Sequence, residues 1–113
     1  MTTFPSQRDI VLILFPFSNL KAAKVRPVVV MSNDNYNKKF NDFIAIPLTS
    51  NLKLRDNVLL ISKKEMESGL LIADSNAKVD RVFSLQQSLI KMKIGRIKKE
   101  TNKKLKNMLM NIV

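Results

Sequence analysis

Val25-Arg26-Pro27-Val28-Val29-Val30-Met31-Ser32-Asn33 is the stretch that decides the fold of this chain. Three consecutive valines fit a pleated, buried surface and read as a β-strand. Pro27 has no N–H to give to a ladder, which assigns it to the first residue of the strand or to an edge. Arg26 then stands where a loop becomes a strand, its guanidinium free to face a cleft. A plain surface arginine at a strand end fits the same residues.

Working outward, Arg8 to Phe15 is a nearly continuous apolar run, read as a strand buried on both faces or curved into a barrel. Phe15-Pro16-Phe17 ends it, and Ser18 to Lys24, small and polar, reads as a mobile loop. Met1 to Ser6 reads as a loose tail. Downstream, Asn33 to Lys38 is turn-rich, with room for one helical turn. Asp42 to Leu48 and Asn57 to Ile61 read as strands. Ser62 stands three residues before Glu65, the spacing of a capping box, and predicts a short helix ended by Gly69. Leu70 to Ala73 and Ala77 to Phe83 read as extended, Leu85 to Ile90 as a turn or short helix, and Lys93 to Ile97 as the last strand. Lys98 to Val113 is the one clear amphipathic helix, with Leu105, Met108, Leu109 and Ile112 at spacings of three and four. Short strands with few helices predict a mainly β chain, a small barrel or sandwich.

With 113 residues, the chain forms one domain, residues 1–113. It has no cysteine, which excludes a disulfide framework and a thiol nucleophile, and no histidine, which removes the usual general base and metal ligand. Catalysis, if any, falls to Arg, Lys, carboxylates, hydroxyls or Tyr36. No apolar run has the length of a membrane span, and the start lacks the pattern of a signal peptide, so a cytoplasmic protein is expected. The net charge of +11, from 20 Lys and Arg against 9 Asp and Glu, points to a polyanionic partner, a nucleic acid or an acidic protein segment. A generally lysine-rich surface accounts for part of the same excess.

Four motifs follow one another in order: Asp9-Ile10-Val11 opening a strand before Phe15-Pro16-Phe17-Ser18; Arg26-Pro27-Val28-Val29-Val30 with Ser32-Asn33; Pro47-Leu48-Thr49-Ser50 closing a strand; and Ser75 to Leu85 with Lys93-Ile94-Gly95-Arg96-Ile97. In that order and spacing the chain, from Gln7 onward, resembles the MazF/PemK/Kid family of toxin endoribonucleases. The resemblance implies an α+β fold dominated by strands, a small SH3-like β-barrel with a C-terminal α-helix. It implies a sequence-selective, metal-independent endoribonuclease without cofactor. Such an enzyme acts on single-stranded mRNA as the toxin of a toxin–antitoxin pair and leaves a 2′,3′-cyclic phosphate and a 5′-hydroxyl. It also implies an acidic antitoxin protein as partner, and a homodimer. For the dimer, Phe15, Phe17, Val28 to Met31, Met108, Leu109, Met110, Ile112 and Val113 are an apolar surplus beyond the needs of one small barrel. Two alternatives share the barrel: a CcdB-type gyrase poison that captures a protein without cutting RNA, and a degenerate member that binds RNA or antitoxin only.

Arg26 and Thr49 match the family's catalytic arginine and threonine. Attack of an RNA 2′-hydroxyl on its own phosphate builds negative charge on phosphorane oxygens. A guanidinium gives those oxygens planar paired donors, and a hydroxyl adds one more. Thr49-Ser50 also suits a strand end that bonds its own turn. Candidate RNA contacts are Ser18, Lys21 and Lys24 of the loop, together with Ser50, Lys78 and Arg81. Lys21 stands where some members carry a loop carboxylate. Ser75 and Lys78 stand where some carry an acid three residues before a base. Asp80 and Arg81 read equally as RNA contacts or as a cross-strand ion pair. Lys91, Lys93, Arg96, Lys98, Lys99, Lys103, Lys104 and Lys106 read first as a solvated face.

Overall fold

The computed structural model describes residues 4–15, 24–53, 55–71 and 73–113, with Phe15 described in its backbone alone. Its strands are β1 (Asp9–Phe15), β2 (Lys24–Val30), β3 (Asp42–Thr49), β4 (Val58–Ile61), β5 (Met66–Gly69), β6 (Ser75–Lys78), β7 (Phe83–Gln86) and β8 (Ile90–Ile97). Two helices join them, α1 (Asp34–Lys39) and α2 (Lys99–Ile112). The eight strands form one antiparallel sheet in the order β4-β6-β3-β2-β1-β8-β5, with β7 paired to β3, curled into a half-barrel with α2 as the C-terminal helix. The mainly β fold with a C-terminal helix is therefore as expected.

β1 and β2 are the centre of the sheet, and they alternate between two cores. Ile10 and Val29 face the cluster that also holds Ile46, Leu48, Ile61, Ala77, Val79, Ile97 and Leu105 of α2. Val11, Ile13, Val28 and Val30 face the other, with Phe43 and Ala45. Burial on both faces is what the unbroken apolar run of β1 required. It also corrects the expected dimer surplus: Val28, Val29 and Val30 are fully buried and Met31 is 8% exposed, so these residues complete the chain's own core.

Other expectations change in detail. β2 starts at Lys24, so Arg26 lies inside the strand and not at its entry. The residues ahead of β1 are pinned from Pro5 onward: the buried Asn37 donates through Nδ2 to the Pro5 carbonyl at 2.9 Å, and Ser6 N donates to Asp9 Oδ2 at 3.0 Å. Ser62 and Glu65 interact as read, Glu65 Oε1 accepting from Ser62 N at 2.8 Å and from its Oγ at 2.7 Å. The turn they close, however, is a single 3₁₀ turn at Lys63–Glu65, and the chain then runs into β5. Gly69 ends that strand, with φ of 79°, opposite Gly95 of β8. A Cβ on either glycine would meet the facing backbone, so the pair lets β5 and β8 approach. Ala77 to Phe83 is not one extended segment. A 3₁₀ turn at Val79–Arg81 breaks it, because β3 pairs first with β7 and then with β6 along the same edge.

In α2 the apolar stripe is buried at Leu105 and packed at Met108 and Leu109, but Ile112 is 42% exposed. Thr101 and Asn102 fill the first turn's inner face instead. Leu70, Leu71 and Ala73 are not in a strand. Among the described residues, no helix is long and apolar enough to cross a membrane.

Candidate active cleft

The β2–β3 ladder pairs Val28 with Pro47, Val29 with Ile46 and Val30 with Ala45, and goes no further. The two strands stop pairing where Pro27 and Pro47 lie. Neither has an N–H to continue the ladder. Against expectation, Pro27 is neither the first residue of its strand nor on an edge strand. It is the fourth residue of central β2, paired with Leu12 of β1, and it is tolerated because the ladder to β3 has already ended there. Carrying the register on by two residues sets Arg26 across from Thr49. The strands part there instead, and the opening is a cleft of 570 Å³.

One wall of the cleft is Lys24, Val25, Arg26 and Pro27, and the other is Leu48, Thr49 and Ser50. The remainder is largely apolar, from Leu12, Leu71, Ala73, Ser75 and Ile94. Lys24 and Arg26 alternate along an extended strand and so point to the same side. Both are exposed, and among the described residues neither side chain has a hydrogen bond or ion pair to a neighbour. Two cations left without a protein anion at the mouth of a half-apolar cleft can serve an anionic ligand.

Thr49 Oγ1 accepts from Asn51 N at 3.2 Å. The local turn bond expected of a strand-end threonine is therefore present. It uses the oxygen as acceptor and leaves the hydroxyl hydrogen to donate elsewhere. Ser75 is buried, its Oγ turned back to the Ala73 carbonyl at 3.1 Å.

Thr49 also lines a second cavity of 350 Å³, with Asn51, Lys53, Arg55, Val58, Asn76 and Lys78. Lys78 belongs there and not to the main cleft. Arg81 is exposed and lines neither. Asp80 resolves towards an ion pair, but with Arg55 at 2.6 Å and not with Arg81. Asn51, Lys53, Arg55 and Asn76 were missed by sequence reasoning. The spacing of polar residues after Thr49 carried no strand signal to align them. Ser18 and Lys21 lie outside the described residues. Among the described residues, no group of three or more carboxylates could hold a metal ion.

No curated protein matches the chain in sequence. Solved structures do match it in shape. MazF in a MazE–MazF complex from Deinococcus radiodurans superposes with a TM-score of 0.81 at 18% identity, covering 96% of this chain and 94% of that one. The Mycobacterium tuberculosis toxin MazF-mt6 gives 0.73 at 15% identity, with 92% and 94% covered. An endoribonuclease with its cognate antitoxin from a mycobacterial species gives 0.75 at 14%, with 95% and 92% covered. At such identities the likeness speaks for the fold. The sequence profile of one family matches residues 6–113, and on that match the chain belongs to the PemK-like, MazF-like toxins of type II toxin–antitoxin systems.

Proposed function

We propose that this toxin is a metal-independent, sequence-selective endoribonuclease acting on single-stranded RNA. The observation that carries the reading is Arg26 standing in register with Thr49 across the open end of the β2–β3 ladder, exposed at the cleft mouth.

A phosphodiester seated between the two strands meets the Arg26 guanidinium from one side and the Thr49 hydroxyl from the other. As the 2′-oxygen attacks, charge grows on the non-bridging oxygens. The guanidinium remains charged throughout and offers two parallel donors, while Thr49 adds a third. The products are a 2′,3′-cyclic phosphate and a 5′-hydroxyl. Leu12, Leu71 and Ile94 give an unpaired base an apolar seat, which favours single strands over duplex. Ser50 and Lys24 extend the rim, and Lys78 extends the basic surface beyond Thr49. Ser18, Lys21 and Arg81 remain candidate RNA contacts.

The partner is an acidic antitoxin. A toxin carrying +11 with an anion cleft accepts carboxylates where it accepts phosphates. A disordered acidic segment that folds on binding would compete directly for the cleft. Two of the similar structures are complexes with an antitoxin. The toxin is a homodimer, with Met110, Ile112 and Val113 exposed at the end of α2 as its apolar contribution; a monomer mass by light scattering at micromolar concentration would remove that part.

The deciding experiment incubates the protein with a long RNA in EDTA and sequences the 5′ ends. Cuts at a recurring motif with 5′-hydroxyl ends are expected, since the chain has no His or Cys to hold a metal. Activity only after a divalent ion is added would overturn the reading. The degenerate alternative has one observation in its favour: among the described residues no carboxylate lines the cleft. Its signature is RNA that is bound and protected but uncut.

A further inference from the structure

An O5′ alkoxide is a poor leaving group, and an RNA transesterification needs a proton delivered to it. The usual donors, an imidazolium or a protonated carboxylic acid, are absent from the described cleft, and the chain has no histidine at all. Resting on the ribonuclease reading above, we infer that Lys24 is the general acid that protonates the leaving 5′-oxygen.

The case is one of elimination and placement. Arg26 faces the same cleft, but a guanidinium does not give up its proton under physiological conditions. It is suited to hold the phosphoryl oxygens. Thr49 and Ser50 are alcohols, no more acidic than the ribose alcohol that must leave. Ser75 is buried with its Oγ directed to the Ala73 carbonyl at 3.1 Å. Among the described cleft-lining side chains only Lys24 combines a transferable proton with exposure at the mouth.

Its position suits the task. Lys24 and Arg26 are two residues apart on β2, on the same side of the strand, roughly 6.6 Å apart along it. The leaving oxygen is bonded to the phosphorus whose other oxygens Arg26 holds, within reach of a long flexible neighbour. The β2–β3 ladder does not reach Lys24, and no acidic neighbour among the described residues ties its ammonium down.

The step balances as follows. The 2′-oxygen forms its bond to phosphorus while the phosphorus–O5′ bond breaks. The 2′-hydroxyl proton passes to water. The Lys24 ammonium gives one proton to O5′, producing the 5′-hydroxyl, and the resulting amine is reprotonated from water. No metal, oxidant or reductant enters.

The test uses single-turnover cleavage of one RNA oligonucleotide in two forms, with the natural linkage at the mapped cut and with sulfur replacing the bridging 5′-oxygen. A thiolate leaves without a proton. Lys24→Ala and Lys24→Arg should each slow the oxygen substrate by about 10²-fold or more, the usual worth of a general acid. Both should cut the sulfur substrate close to the wild-type rate, and Lys24→Arg should keep wild-type affinity for RNA. An equal loss on both substrates would make Lys24 a phosphate contact and overturn the proposal. No loss on either, or the sulfur rescue appearing in Lys21→Ala instead, would overturn it too. If the wild-type protein cuts neither substrate, the ribonuclease reading itself has failed, a result distinct from these.

Discussion

Two arginines beside opposite ends of β1 stand in opposite surroundings. Arg96 of β8 sits across the ladder from Asp9 of β1. Its Nε donates to Asp9 Oδ1 at 3.1 Å, and Lys93 Nζ lies 3.2 Å from the same oxygen. Asp9 is 5% exposed, and its carboxylate also accepts from Ser6 N, so it ties two strands and the N-terminal segment together. Arg26 of β2 faces outward at the other end, beside Lys24, with no acid among the described residues to pair with it. In a chain with 20 cations and 9 anions, most cations must go without an internal partner. The difference shows which are spent on the fold. A buried carboxylate needs its cations, whereas an exposed arginine at a cleft is left available for an anion from outside.

The comparison predicts a clean separation of phenotypes. Arg26→Ala should lower RNA cleavage by about 10²–10³-fold, the typical loss of one preorganised transition-state donor. Its thermal melt should match wild type; a folded variant with near-native cleavage would erase the functional half of the contrast. Arg96→Ala should do the reverse. With the buried Asp9 left to Lys93 alone, it should cost about 1–3 kcal/mol of stability by urea titration. Cleavage per folded molecule should persist. A variant as stable as wild type would show that the Asp9 carboxylate does not depend on Arg96.

Thr49→Val should sharpen the cleft end further. It removes the hydroxyl donor and the Asn51 turn bond while keeping the strand, and about a tenfold fall in cleavage rate is expected, near 1.4 kcal/mol of barrier. An unchanged rate would pass the second donor to Ser50.

The smallest effect lies away from both ends. The Ser62 hydroxyl, and then its backbone N–H, hold the Glu65 carboxyl below its ordinary value of 4.5. A depressed carboxyl stabilises the fold where it is ionised. Its contribution is therefore present above the ordinary value and is lost as pH falls through the lowered one. Glu65→Gln should reduce stability at neutral pH by about 0.5 kcal/mol or less. The difference from wild type should vanish in acid. A difference that grew in acid would reverse the assignment.

Much of the candidate site is legible in the sequence. Val28 to Val30 could only be a buried strand, and an arginine two residues ahead had to sit near its end. Thr49-Ser50 closed a second apolar strand with the same logic. Less legible were the turns. Ser62 and Glu65 are paired as their spacing says, yet three residues of 3₁₀ turn satisfy that pattern as well as a helix does, and β8 needed β5 as its edge. Ala77 to Phe83 is apolar and extended in pattern throughout. Only the competition of β6 and β7 for one edge of β3 puts a turn at Val79–Arg81.

By itself the sequence determined the chain's strand-rich character, its C-terminal helix, its charge, and the residue types available for chemistry. Those follow from local rules: side-chain periodicity, the missing N–H of proline and the absence of histidine. Tertiary structure alone decided which cations stay free. Arg26 and Arg96 are both arginines on strands, and nothing local separates them. One register brings Asp9 to Arg96, while the ladder that ends at Pro27 and Pro47 opens a cleft in front of Arg26. Pairing across strands is a long-range property, set by where the whole sheet places each residue's neighbours.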